Sequence, residues 1–105
     1  MTEFLQVMTT IDSESKAQEI ARALVEKRLA ACVQMAGPIQ STFRWKGAIE
    51  TAGEWLCIIK TRAELYDKVE AAIREMHTYE TPEIIALPIV AGSAAYLDWL
   101  RHETS

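Results

Sequence analysis

The sequence predicts an α+β domain in which two helices back a four-stranded antiparallel sheet, and three observations lead there. Apolar residues recur at three- and four-residue steps in two separate stretches, from Ala17 to Leu29 and from Leu65 to Met76. Between them, from Ala31 to Lys60, the period drops to two on either side of a Lys46-Gly47 dipeptide. Short apolar runs, Phe4 to Thr9 and Ile84 to Val90, flank the whole.

Taken in order, Phe4-Leu5-Gln6-Val7-Met8-Thr9 reads as a first strand ending near Ile11. Asp12 and Ser13 then offer an N-cap, and Ala17, Ile20, Ala21, Leu24, Val25 and Arg28-Leu29 form the apolar stripe of a first helix. Glu19, Arg22, Glu26 and Lys27 are left facing water. From Ala31 the alternation puts Ile39, Ser41, Phe43 and Trp45 on one face and Gln40, Thr42, Arg44 and Lys46 on the other. Lys46-Gly47 supplies a two-residue hairpin turn, a weaker signal than Asn-Gly or Asp-Gly. Gly37-Pro38 interrupts the outgoing arm and predicts a bulge or kink, because proline cannot donate to a ladder. The return arm, Ala48 to Lys60, carries Trp55, Cys57 and Ile59 on one face and Leu56 and Ile58 on the other, so its far end is expected to be a central strand.

Thr61-Arg62-Ala63-Glu64 matches a capping box, which predicts a helix capped by Thr61. Leu65, Val69, Ala72, Ile73 and Met76 supply its buried stripe, and Thr81-Pro82 stops any continuation. Ile84 to Val90 is the fourth strand, confined by Pro88 to an edge or a strand end. Gly92-Ser93 closes it, and Ala94 to His102 forms a short tail helix carrying Tyr96, Leu97, Trp99 and Leu100. The order β-α-β-β-α-β plus a C-terminal helix is the ferredoxin-like pattern. Right-handed crossovers put both helices on one face and leave the other bare.

A chain of 105 residues makes one domain, 1–105, able to bury roughly 60 to 70% of its unfolded surface. Two hairpin arms of about 14 residues, at roughly 3.3 Å each, reach some 46 Å, whereas a compact globule of this length is only about 34 Å across. The long β2-β3 hairpin therefore overhangs its own domain and exposes Phe43, Trp45 and Trp55 together with unpaired backbone. An obligate homo-oligomer of two or three copies is expected, with hairpins and terminal segments pairing across subunits.

Lys and Arg number 11 against 15 Asp and Glu, a net charge of −4 with no basic run, which speaks against nucleic acid and anionic membranes as partners. The longest apolar stretch, Ile84 to Val90, falls far short of the roughly 20 residues that span a bilayer. Met1-Thr2-Glu3-Phe4 offers neither a basic nor an apolar leader region, so a cytoplasmic location is expected. Cys32 and Cys57 form no CxxC; the hairpin register places Cys57 opposite about residue 36, too far from Cys32 for a disulfide, and both are read as free thiols.

For chemistry the sequence offers little. His77 and His102 are the only imidazoles, and neither lies in a nucleophile signature, so no enzyme is expected. His102 reads as a solvated helix end. His77 either caps the second helix or, with the carboxylate of Glu80 and the thioether of Met76 nearby, acts as a metal ligand. The four glycines form no phosphate loop. The carboxylate pairs Glu80/Glu83 and Glu50/Glu54 are compatible with acid-base chemistry or with a plain solvated surface.

Several segments together, Arg28-Leu29-Ala30-Ala31-Cys32-Val33, Phe43-Arg44-Trp45-Lys46-Gly47 followed by Ile49-Glu50, Glu54 to Thr61, Tyr79-Glu80-Thr81-Pro82-Glu83-Ile84-Ile85-Ala86-Leu87-Pro88 and Tyr96-Leu97-Asp98-Trp99-Leu100, closely resemble the CutA family of divalent-cation tolerance proteins over almost the whole chain. The resemblance implies a ferredoxin-like subunit in a tight homotrimer with long intersubunit hairpins, a build shared with PII-type signalling proteins. It also implies a link to copper and other divalent cations, through a first-strand cysteine and a His-His pair after the second helix. Here those positions read Met8 and Met76-His77, soft sulfur ligands and one imidazole that suit Cu(I). The resulting expectation is a non-enzymatic, cytoplasmic trimer of metal tolerance, with copper as a possible ligand at Met8, Met76 and His77. Two alternatives stand beside it: a trimer binding a small-molecule effector near Lys60, Tyr79 and Glu83, and a structural trimer anchoring other proteins.

Overall fold

Ser13 starts the first helix as its composition suggests: the hydroxyl accepts from the Lys16 N–H at 3.2 Å. A computed structural model describes residues 2–105. It contains β1 (Phe4–Ile11), α1 (Glu14–Glu26), β2 (Cys32–Trp45), β3 (Ala48–Arg62), a 3₁₀ turn (Ala63–Leu65), α2 (Tyr66–Met76), β4 (Ile84–Pro88) and α3 (Ala94–Glu103). The antiparallel sheet has the order β2-β3-β1-β4. β3 is central at its apolar end, and β4 is an edge that terminates at Pro88.

The first helix stops earlier than its apolar spacing implies. Arg28 takes the left-handed conformation (φ 59°), and the N–H groups of Arg28 and Leu29 return to the carbonyls of Val25 and Leu24, a Schellman closure. The Arg28 guanidinium donates to the carbonyls of His102 and Ser105 at 2.8 and 3.0 Å, which holds a non-glycine residue in this position. Arg28 and Leu29 thus lie beyond the helix, and Val25, expected on its inner stripe, is half-exposed.

The capping box is also overruled. Thr61 and Arg62 are still strand, opposite Leu5 and Phe4, and no side chain caps the turn that follows. The buried Thr61 hydroxyl donates instead to the Leu29 carbonyl at 2.6 Å. Pairing with β1 and the long-range bond to Leu29 outcompete a local cap, so α2 begins at Tyr66.

At the hairpin tip Lys46 and Gly47 have φ of 50° and 83°, the positive pair of a primed turn whose twist matches the strands. At Gly37-Pro38, joined by a cis peptide, the register slips by one: Ala36 faces Leu56 but Ile39 faces Glu54. Cys57 consequently opposes Met35 rather than residue 36, and both cysteines are free thiols. Burial pushes the Cys57 thiol pKa up. The chain measures 45 × 25 × 22 Å with a radius of gyration of 14.3 Å, as expected of a ribbon that outreaches its domain.

Val7, Ile11, Cys57 and Ile59 pack under Ile20, Leu24, Val69 and Ile73 of the two helices to make the core. The opposite sheet face is not wholly bare. The tail helix α3 covers its lower end, where Leu100 and Phe4 are buried and Arg101 lies 5.2 Å from the Phe4 ring centroid. Arg62 helps hold that end by donating to the Thr104 hydroxyl at 2.8 Å. Beyond α3, alternation aligns Met8, Leu56 and Ile58 with the exposed Ile85 and Leu87 on this face.

Candidate functional site

The segment that follows α2, residues 77–83, crosses the end of β1 because His77 pins it there. Its Nε2 donates to the Thr10 carbonyl (2.8 Å), while its Nδ1 accepts the Tyr79 N–H (3.1 Å). The His77 and Tyr79 rings meet edge to face, 4.7 Å between centroids. So placed, Tyr79 extends its hydroxyl to Glu54 Oε2 at 2.7 Å. Burial, the bond to Glu54 and the charges of Glu54 and Asp12 raise the Tyr79 pKa well above its usual value, so the phenol stays protonated as a donor.

A cleft of about 900 Å³ opens between this segment and the ribbon. Thr10, Asp12, Glu54 and Tyr79 lie along it with Glu80 and Glu83, while Phe43, Trp45 and Glu50 form the ribbon wall. Glu54 is only 5% exposed. Alternation along the unbroken β3 places it on this face, and it is the first β3 residue paired beyond the bulge in β2, opposite Ile39.

The residues singled out from sequence separate into groups. Tyr79, Glu83, Glu80, Glu50 and Glu54 share the cleft, but Lys60 does not line it; its ammonium donates to Gln34 Oε1 at 2.8 Å on the other part of the sheet. Met76 packs against the core on the helix side. Met8 points to the opposite face, where its sulfur accepts from Gln6 Nε2 at 3.6 Å. Met8, Met76 and His77 are therefore not brought into one coordination sphere, and both nitrogens of His77 already have protein partners. Among the described residues no group of three or more His, Cys, Asp or Glu is placed to hold a metal ion. His102 is exposed in the last turn of α3.

Asp12 was legible only as a helix cap, yet it lines the cleft. The signal for Glu54 was available: alternation along β3 sets this acid on the face of Leu56 and Ile58, an odd place for a carboxylate unless something answers it. For His77 the structure assigns a pin. His77→Ala is expected to lower unfolding free energy by about 2 kcal/mol, from two lost hydrogen bonds, and to leave Cu(I) affinity unchanged. Urea denaturation and competitive Cu(I) titration check the two halves; an unchanged stability or a weakened Cu(I) affinity would refute the pin or the copper statement respectively.

Comparison with known proteins is consistent across the chain. Residues 5–103 match the family described as CutA1 divalent ion tolerance protein. The chain is 44% identical over 98 residues to the divalent-cation tolerance protein CutA of Thermus thermophilus, covering 93% of this chain and 95% of that one. It is 47% identical over 95 residues to human protein CutA, covering 90% of this chain and 53% of the relative, so it spans about half the length of the human protein. The Thermus thermophilus structure superposes with a TM-score of 0.94 at 42% identity, over 97% of this chain and 99% of that one. CutA from Xylella fastidiosa gives 0.96 at 35% identity, over 99% and 100%. With its family match, its relatives and its fold in agreement, this chain belongs to the CutA1 divalent ion tolerance protein family.

Proposed function

We propose that this protein acts in divalent-cation tolerance as a cytoplasmic homotrimer that catalyses no reaction. The observation that carries the assembly is apolar surface without cover. Ile85, Leu87 and Val90 are 47%, 49% and 86% exposed, and Phe43, Trp45 and Ile49 stand out along the overhanging ribbon. Sister chains provide that cover, and three is the count the family resemblance implies. No described helix is long and apolar enough to cross a membrane. Copper belongs among the tolerated ions in this reading, with no resident copper on Met8, Met76 and His77. Native mass spectrometry of the purified protein is expected to show three copies of the 11.8 kDa chain. A folded single copy at micromolar concentration would overturn the proposal.

A second reading is favoured by the cleft itself: the trimer senses a small-molecule effector held beside Tyr79 and Glu54. The cleft volume lies in the range of ligand sites, and its walls mix aromatic and ionised groups. Screening metabolites by thermal shift tests this reading, since an effector that prefers the folded state raises the melting temperature.

A further inference from the structure

We propose that the helix-free sheet face holds a small free oxyanion of the phosphate class on Lys60 and the amides of Gln34 and Gln6, in a site closed by the same residues of sister chains. The proposal rests on the assembly reading above and is independent of the cleft.

The ladder sets the donors side by side. Gln6 on β1 and Cys32 on β2 both lie directly opposite Lys60, and Gln34 lies opposite Ile58, one step along the same face. Their polar hydrogens exceed what the chain uses. Lys60 gives one N–H to Gln34 Oε1 at 2.8 Å and keeps the rest of its ammonium donors. Only the oxygen of the Gln34 amide is taken, so its NH2 group is left over. Gln6 commits a single N–H to the weak sulfur acceptor of Met8 at 3.6 Å.

No carboxylate answers these donors. Among the described residues none forms an ion pair with Lys60. The acids of β3 that share its parity, Glu50 and Glu54, line the cleft, Glu54 being about 20 Å further along the strand. On the α3 side, Glu3 and Asp98 are both held by Arg101.

Open to water, such a patch needs no anion; assembly changes that. Leu87 lies opposite Gln6 and Ile85 opposite Met8, so a sister chain that covers these half-exposed side chains also shuts water away from Lys60. Apolar cover for one such face is supplied by the same face of its sisters around a closed axis, and Lys60 then meets copies of itself rather than a carboxylate. Ammonium groups that converge as they lose hydration repel one another, and an anion among them offsets both costs. The donors are spread over three adjacent strands, about 4.8 Å apart, which suits an anion with several oxygens better than a halide.

Thermal melting in chloride and in inorganic phosphate at equal ionic strength, with native mass spectrometry alongside, tests the proposal. Phosphate is expected to raise the melting temperature saturably, by about 2 °C or more. Lys60→Met is expected to stay assembled, to melt above the parent in chloride and to lose the phosphate response, whereas Lys60→Arg keeps it. Gln34→Leu, which leaves the ammonium in place, is expected to raise the half-saturating phosphate concentration at least about threefold, and it decides the matter if Lys60→Met does not fold. The proposal is overturned if phosphate and chloride act alike, or if Lys60→Met or Gln34→Leu leaves the response unchanged, the mark of general salt exclusion from the surface. Dissociation of the assembly by Lys60→Met also overturns it, because a sister carboxylate then holds the ammonium. An assembled protein with no phosphate response leaves the assembly reading standing without the anion; a single copy in both buffers brings down that reading and the anion site with it.

Discussion

Gly37→Ala is expected to destabilise the protein by about 2 to 3 kcal/mol, out of proportion to one methyl group. A Cβ at this position would lie 2.7 and 2.9 Å from Cδ1 and Cγ of Trp55 and 3.0 Å from the Glu54 carbonyl oxygen. Neither neighbour can retreat easily. The Trp55 ring packs against the core, and the backbone of Glu54 is held opposite Ile39 and close to the start of the β1 pairing at Ile11 and Trp55. Relief therefore requires the bulge to move, which shifts Glu54 away from Tyr79. Urea denaturation measures the loss, and near-ultraviolet circular dichroism reports the Trp55 environment. Gly53→Ala is the internal control, since nothing lies within 4 Å of its added Cβ and its φ is not positive; it is expected to be neutral or slightly stabilising. Equal effects of the two substitutions would show that the bulge does not depend on Gly37.

The second large effect is on assembly. Replacing both Ile85 and Leu87 by Glu is expected to weaken self-association at least about a hundredfold while leaving the fold intact. These side chains lie on the helix-free face of an edge strand, half-exposed, and the core on the other face does not include them. Covering them with a sister chain removes apolar surface from water; covering carboxylates in their place requires desolvating charges without partners. Val25→Glu, a half-exposed site on α1 at the opposite face, is expected to leave association unchanged. Native mass spectrometry over a dilution series separates the cases, and a double variant that still assembles like the parent would remove this face from the interface.

Much of this molecule was readable from residue order because its pattern is strong where packing is simple. Period-two alternation with Leu56 and Ile58 opposite Cys57 and Ile59 marked β3 as central, and the structure puts it between β2 and β1. Pro88 confined β4 to an edge or a strand end, and it lies at both; of the two caps offered by Asp12 and Ser13, Ser13 starts α1. The misreadings share a cause: local signals met tertiary ones and lost. Thr61 had the right neighbours for a cap, but its hydroxyl bonds to Leu29, 32 residues away. Arg28 continued a helical stripe, but the C-terminal carbonyls hold it in a left-handed turn. The cleft was half-legible for the same reason. Tyr79, Glu80 and Glu83 are neighbours in sequence, whereas their meeting with Glu54 and Asp12 depends on how residues 77–83 cross the end of β1, a non-local event anchored by His77. The family resemblance implied Met8 and Met76 together, but strand parity and helix packing send them to opposite sides of the sheet.

β3 runs without interruption from Ala48 at the tip to Arg62 beneath the tail helix, and the bulge sits in its partner strand alone. The ribbon consequently has no joint in that strand about which to swing. A displacement imposed at Ala48 passes along one continuous backbone as torsion, through Glu54 at the cleft and on to Ile59 in the core. The molecule is thus a lever whose handle, fulcrum and seat are cut from a single piece.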